Sequence, residues 1–159
     1  MKRLLFFLLV IPIFLFGCNN GENGNNSSLN DFDNTELKEQ LKDQDFQPKL
    51  PSKTPIAVEN AQFDPPVEGR EVLTFDFFGE ESHLGLMTVR GKKVSNSSDI
   101  EYEEVEIGEL KGKYGVNDAG VMNLYWTDDK TYYRLTYYGK QSEKEITKEE
   151  LIATAESFE

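Results

Sequence analysis

The alternation of apolar and polar positions divides the chain into stretches of different character. Residues 4–16 (Leu-Leu-Phe-Phe-Leu-Leu-Val-Ile-Pro-Ile-Phe-Leu-Phe) are an unbroken apolar run behind Lys2 and Arg3. A bilayer-spanning helix needs ~20 such residues, so this run has the length of a signal peptide and not of a membrane anchor. Residues 19–30 (Asn-Asn-Gly-Glu-Asn-Gly-Asn-Asn-Ser-Ser-Leu-Asn) have almost nothing to bury and predict a flexible tether. A coil of that length has a reach of roughly 20 Å.

From Asp31 the pattern changes. Asp33 is placed to cap a helix over residues 34–44, with Glu36 completing a capping box and Phe32 stapling onto Leu37. Its apolar stripe is only Leu37 and Leu41, so the helix is thin and amphipathic. Asp31 and Asp33 do not start a calcium loop, because Glu36 stands where glycine is needed and Lys42 where glutamate is needed. Pro48, Pro51 and Pro55 then exclude helix and predict an extended entry to a sheet. Ile56 and Val58 suggest an edge strand that ends at Pro65-Pro66.

Period-2 alternation dominates the remainder. Leu73, Phe75 and Phe77 share one face of a strand over 71–78. After a turn at Gly79–Ser82, residues 83–90 return with Phe77 facing Leu84, Phe75 facing Leu86 and Leu73 facing Thr88. Residues 91–99 read as a polar loop, either a long hairpin connection or a binding loop. Strands follow at Tyr102–Ile107 and Leu110–Val116. In the last hairpin Met122, Leu124 and Trp126 share a face with Tyr133, Leu135 and Tyr137 across the turn Thr127–Lys130, if Trp126 pairs with Thr131. Thr147 with Glu150 and Ile146 with Leu151 form a capping box and hydrophobic staple, starting a helix whose apolar face is Leu151, Ile152, Ala155 and Phe158. The expected fold is α+β: an antiparallel meander of about six to seven strands backed by a C-terminal helix, with a thin N-terminal helix after the tether.

Composition sharpens this. The 159 residues carry 29 acidic and 17 basic side chains, a net charge of −12. Such a surface repels nucleic acid and anionic lipid headgroups. The one cysteine, Cys18, rules out an internal disulfide.

Cys18 also closes the leader. Leu15-Phe16-Gly17-Cys18 resembles the lipobox of bacterial lipoproteins, although Phe16 is bulkier than usual at its position. The resemblance implies removal of a signal peptide over residues 1–17 and attachment of a diacylglyceryl group, with acyl chains of the palmitate type, to the Cys18 sulfur. Residues 18–30 would then be a lipidated tether, and residues 31–159 a single domain on the extracytoplasmic face of the cell membrane.

A second resemblance rests on Leu124-Tyr125-Trp126-Thr127-Asp128-Asp129-Lys130-Thr131-Tyr132-Tyr133-Arg134-Leu135. It continues through Ile146-Thr147-Lys148-Glu149-Glu150-Leu151-Ile152-Ala153-Thr154-Ala155-Glu156-Ser157-Phe158. These, with the proline-rich entry Leu50–Pro55, are similar to the domain-of-unknown-function 4367 family over about residues 46–158. The resemblance implies an extracytoplasmic domain of lipoproteins and membrane-bound regulators in spore-forming, Gram-positive bacteria. It implies no catalytic residue.

Candidate chemistry is sparse. There is one histidine, His83, read as a strand residue beside Phe78, and no metal-binding spacing, phosphate loop or nucleophile elbow. Glu103, Glu104, Glu106, Asp128 and Asp129 could in principle supply a carboxylate pair for glycoside hydrolysis, but acids are abundant, Glu104 and Glu106 share the solvent face of their strand and Asp128-Asp129 is a turn. No enzymatic activity, cofactor or metal is expected. The outer face of the last hairpin offers Tyr125, Tyr132 and Tyr138 beside Arg134, a stripe suited to a sugar, a peptide or a protein partner, unless the helix over 34–44 covers it. The expected function is a tethered, non-catalytic binding, sensory or interaction module. Its partners are the membrane, through the lipid on Cys18, and an envelope protein or cell-wall component; nucleic acid is excluded. The alternative is a carrier or sensor that holds an acyl chain between sheet and helix.

Overall fold

The computed structural model describes residues 28–66, 71–91, 100–139 and 144–159. The leader, Cys18 and most of the tether lie outside these residues, as does most of the loop over 91–99. The chain enters with β1 (Asn30–Asp31), α1 (Thr35–Gln40) and a 3-10 turn at Leu41–Asp43, then β2 (Lys53–Thr54), which pairs antiparallel with β1. The main sheet follows: β3 (Asn60–Asp64), β4 (Val72–Gly79), β5 (Ser82–Arg90), β6 (Glu103–Ile107), β7 (Leu110–Val116), β8 (Val121–Asp128) and β9 (Thr131–Tyr138). The helix α2 (Lys148–Glu156) closes the chain. The seven strands are all antiparallel, in the order β3-β4-β5-β9-β8-β7-β6.

The expected α+β fold is therefore present, with one departure from a simple meander. β5 and β6 are not neighbours. The chain leaves β5 in the middle of the sheet, starts β6 at the far edge and works back until β9 pairs with β5. β5 and β6 thus do not form a hairpin, and the strand order makes a crossover between two meanders. Gly115 on β7 makes room for it: a Cβ there would lie 2.7 Å from Ile100 and 2.8 Å from the Glu101 carbonyl.

The hairpin β4–β5 has the register that alternation predicts, with Phe77 opposite Leu84, Phe75 opposite Leu86 and Leu73 opposite Thr88. The last hairpin is shifted by two residues from its expected register. Trp126 pairs with Tyr133 and Asp128 with Thr131, leaving only Asp129 and Lys130 in the turn. Asp129 takes φ +53°, the left-handed conformation that two-residue turns require and that aspartate tolerates. Such a turn matches the strand twist, so the ladder extends by one more pair. An even shift leaves every side chain on its expected face.

One face of the sheet carries the core. Phe75, Phe77, Leu84, Leu124 and Leu135 are completely buried, and Tyr133, Tyr137 and Trp126 nearly so. Above them lie Leu37, Leu41, Leu50, Ile56, Ile146, Leu151 and Ala155 in the same cluster. The capping box of α2 forms as expected: the Glu150 amide donates to the Thr147 hydroxyl (3.1 Å) and the Thr147 amide to the Glu150 carboxylate (2.8 Å). Phe158 packs edge-on against Trp126 and Tyr133, 5.1 and 5.6 Å between centroids.

The start of α1 differs from expectation. Asp33 accepts from the Thr35 amide at 3.0 Å, but Asn34 is the capping position and makes no side-chain cap. Asn34 instead turns inward and donates to the Pro51 carbonyl at 3.0 Å, tying the helix to the proline-rich segment. Ile56 and Val58 likewise precede the edge strand, which forms at Asn60–Asp64. The buried Ile56 fills the core under the helices. Backbone bonds between Leu50 and Glu159 (3.0 and 3.2 Å) and from Ser52 to Ser157 (3.2 Å) clamp that segment to the C-terminus.

Candidate functional site

Alternation sends the other half of each strand to the opposite, outer face. The ladders align Asp64, Thr74, Met87, Arg134, Tyr125, Lys113 and Glu104 in one row across all seven strands. A neighbouring row runs Val72, Val89, Tyr132, Thr127. Helix α1 does not cover this face. Leu37 and Leu41 belong to the inner core, and Phe32 packs edge-on against Phe77, 5.3 Å between centroids.

The four candidate residues fall into two groups. Tyr125 and Tyr132 stand together, 6.0 Å between ring centroids, in a small second core with Val89, and half-buried Val72, Met87 and Tyr102 pack against it. They are only 7% and 8% exposed, so they form a floor and not a projecting patch. Tyr102, at the end of the crossover, meets Tyr125 edge-on at 5.4 Å with the two hydroxyls 3.3 Å apart. Burial, more than its bond to Tyr102, pushes the Tyr125 hydroxyl above the usual tyrosine range, while the positive charge of Arg134 acts the other way. Tyr125 is therefore a neutral phenol across the physiological range. Arg134 lies opposite Tyr125 on one side and Met87 on the other, half-buried.

Tyr138 belongs to a separate aromatic stack. Its ring lies parallel to that of His83 at 4.5 Å, and His83 in turn stacks on Phe78 at 4.7 Å. His83 Nε2 and Asp76 Oδ1 share a hydrogen bond of 2.6 Å. Gly85 leaves room for this arrangement, since a Cβ there would touch the Tyr138 ring at 3.4 Å. Sequence reasoning placed His83 beside Phe78 but did not bring Asp76 to His83 or Tyr102 to Tyr125. The parity of the β4–β5 register already puts Asp76 on the side of His83. Nothing local, however, indicates that Tyr102 folds back over Tyr125.

The acidic residues weighed for hydrolysis are dispersed. Glu103 is held by Lys148 at 3.0 Å and Asp128 by Lys49 at 2.7 Å, while Glu104 and Glu106 are exposed on the edge strand. The outer face thus combines a neutral aromatic floor with one half-buried guanidinium, groups chemically suited to meeting an apolar surface and an anion. Among the described residues, no helix is long and apolar enough to cross a membrane.

No curated protein and no solved structure matches this chain. The sequence model of the family described as Domain of unknown function (DUF4367) matches residues 87–158. That span starts inside β5 and takes in β6 to β9, α2 and all four candidate residues of the outer face. The C-terminal part of this chain, from Met87 to Phe158, is therefore DUF4367-like.

Proposed function

We propose that this chain is a lipid-anchored extracytoplasmic protein of the bacterial cell envelope, and that its domain is a non-catalytic binding or sensory module using the outer face of the sheet. The observation that carries this reading is the unequal use of the two faces. The inner face is sealed under α1, α2 and the proline-rich segment, whereas no described helix lies on the outer face, where Arg134 and Tyr138 stay partly open. The address rests on Leu15-Phe16-Gly17-Cys18 and the basic, then apolar, leader before it. An acyl carrier would need room between sheet and helix. Phe75, Phe77, Leu84, Leu124 and Leu135 have no exposed surface there, and this favours the binding module over the carrier.

Two measurements test the reading. Cys18→Ala should move the protein from the membrane fraction to the soluble extracellular fraction; unchanged membrane partition contradicts the lipid anchor. A photo-crosslinking residue in place of Tyr138 should capture an envelope component in intact cells. The same residue in place of Val116, the exposed apolar position on β7, should not. Equal capture from both positions refutes the outer face as the binding surface.

A further inference from the structure

Arg134 sits on β9, the central strand of the seven. Its Nε is fully buried, and among the described residues it has no hydrogen-bond partner and the side chain forms no ion pair. By contrast, Lys38, Lys42, Lys49, Lys53 and Lys148 each stand within 4.0 Å of a carboxylate. A guanidinium stays charged at any ordinary pH and presents a planar fork of five donors that fits a carboxylate in two parallel bonds. Its buried Nε–H, left without a partner, is unfavourable until an acceptor meets it.

We propose that Arg134 is the recognition point for a single carboxylate on an otherwise uncharged ligand, such as the free carboxyl terminus of a peptide. This rests on the reading of the outer face as the binding surface and names the chemistry that the face selects. Lys113, the next residue in the row beyond Tyr125, adds a second cation without an ion pair among the described residues. Tyr125 supplies an apolar floor between the two cations, and its burial keeps it neutral, so no phenolate competes for the guanidinium. Met87, opposite Arg134, is unbranched and half-buried, a neighbour that can shift to let an anion reach the fork. The net charge of −12 decides between kinds of anion. A polyanion or an anionic membrane is repelled by the domain as a whole, whereas one carboxylate meets mainly the local field of Arg134 and Lys113.

The test is a titration of the full chain in neutral detergent micelles, followed by the NMR cross-peak of the Arg134 Nε–H group. The probes are N-acetyl-alanyl-alanine with a free carboxylate, its C-terminal amide, and inorganic phosphate. The expected result is a saturable shift of the Arg134 cross-peak and the Tyr125 amide with the acid. Binding should be at least tenfold weaker with the amide and with phosphate, and at least tenfold weaker to Arg134→Lys at an unchanged melting temperature. Equal shifts with acid and amide overturn the carboxylate while leaving the outer face a binding surface. Shifts with phosphate as strong as with the acid, or no shift with any probe, overturn it too. Crosslinking from position 138 judges the face independently.

Discussion

Replacing Thr88 by valine should stabilise this protein. Thr88 is completely buried on the inner face of β5, opposite Leu73 and Tyr133, and its hydroxyl has no hydrogen-bond partner among the described residues. An unsatisfied buried hydroxyl costs about 1–3 kcal/mol, and the methyl that replaces it adds about 0.8 kcal/mol of burial. Packing strain from the slightly larger group takes back about 1 kcal/mol, so a net gain of about 1–3 kcal/mol is expected. Valine also keeps the β-branching that suits a strand. Thr54 is the matched control: equally buried, but donating to the Ile56 carbonyl at 2.7 Å. Thr54→Val removes that bond and strands the carbonyl, a loss of about 1–3 kcal/mol. The same chemical change thus acts with opposite sign at two sites of equal burial. Urea unfolding reads the difference, with the Thr88→Val midpoint expected to rise by roughly 0.5–1 M at an unchanged slope. A lower midpoint for Thr88→Val, or equal losses for both variants, would refute the reasoning.

Two further predictions follow from the core and its tyrosines. A chain beginning at Met87 keeps the family-matched segment but lacks Leu37, Leu41, Leu50, Ile56, Leu73, Phe75 and Phe77, all buried in the shared core. At about 1.5–3 kcal/mol each, their loss exceeds the stability of a typical domain, so this fragment should show no cooperative urea transition and no near-ultraviolet circular dichroism. Tyr114, Tyr125 and Tyr133 all ionise above the usual tyrosine range, burial being the first cause in each case. Their raised folded-state values mean that stability is fully present below the unfolded tyrosine value of about 10 and is lost as pH rises beyond it. Urea midpoints measured upward from about pH 9 should fall past about pH 10, and less steeply in Tyr125→Phe; a flat profile contradicts the burial assignment.

Most of the sheet was legible before any coordinates. Leu73, Phe75 and Phe77 share a face with Leu84 and Leu86 only in registers of one parity, the short turn after Gly79 selects among these, and the structure has the register so selected. Thr147 and Glu150 announce a helix start because both satisfy amides within one turn, a purely local matter. Asn34 shows the limit. By sequence it is a helical residue behind Asp33, but its amide is needed by the Pro51 carbonyl, 17 residues away. The shifted last hairpin is a milder case, since parity is set by alternation while the pair count depends on whether Asp129 takes the left-handed turn.

The candidate site was legible as a face and not as an arrangement. Alternation alone determined that Tyr125, Tyr132, Arg134 and Tyr138 share one side of the sheet, that the apolar half of each strand is buried, and that a capped helix follows. Such features depend on residues within a few positions of one another. Only the tertiary structure decided that β6 starts at the far edge and that α1 packs on the inner face. It alone set Tyr102 over Tyr125 and divided the tyrosines between a buried floor and a stack on His83. Those outcomes turn on which distant surfaces bury the most apolar area together, a sum over the whole chain that no local pattern contains.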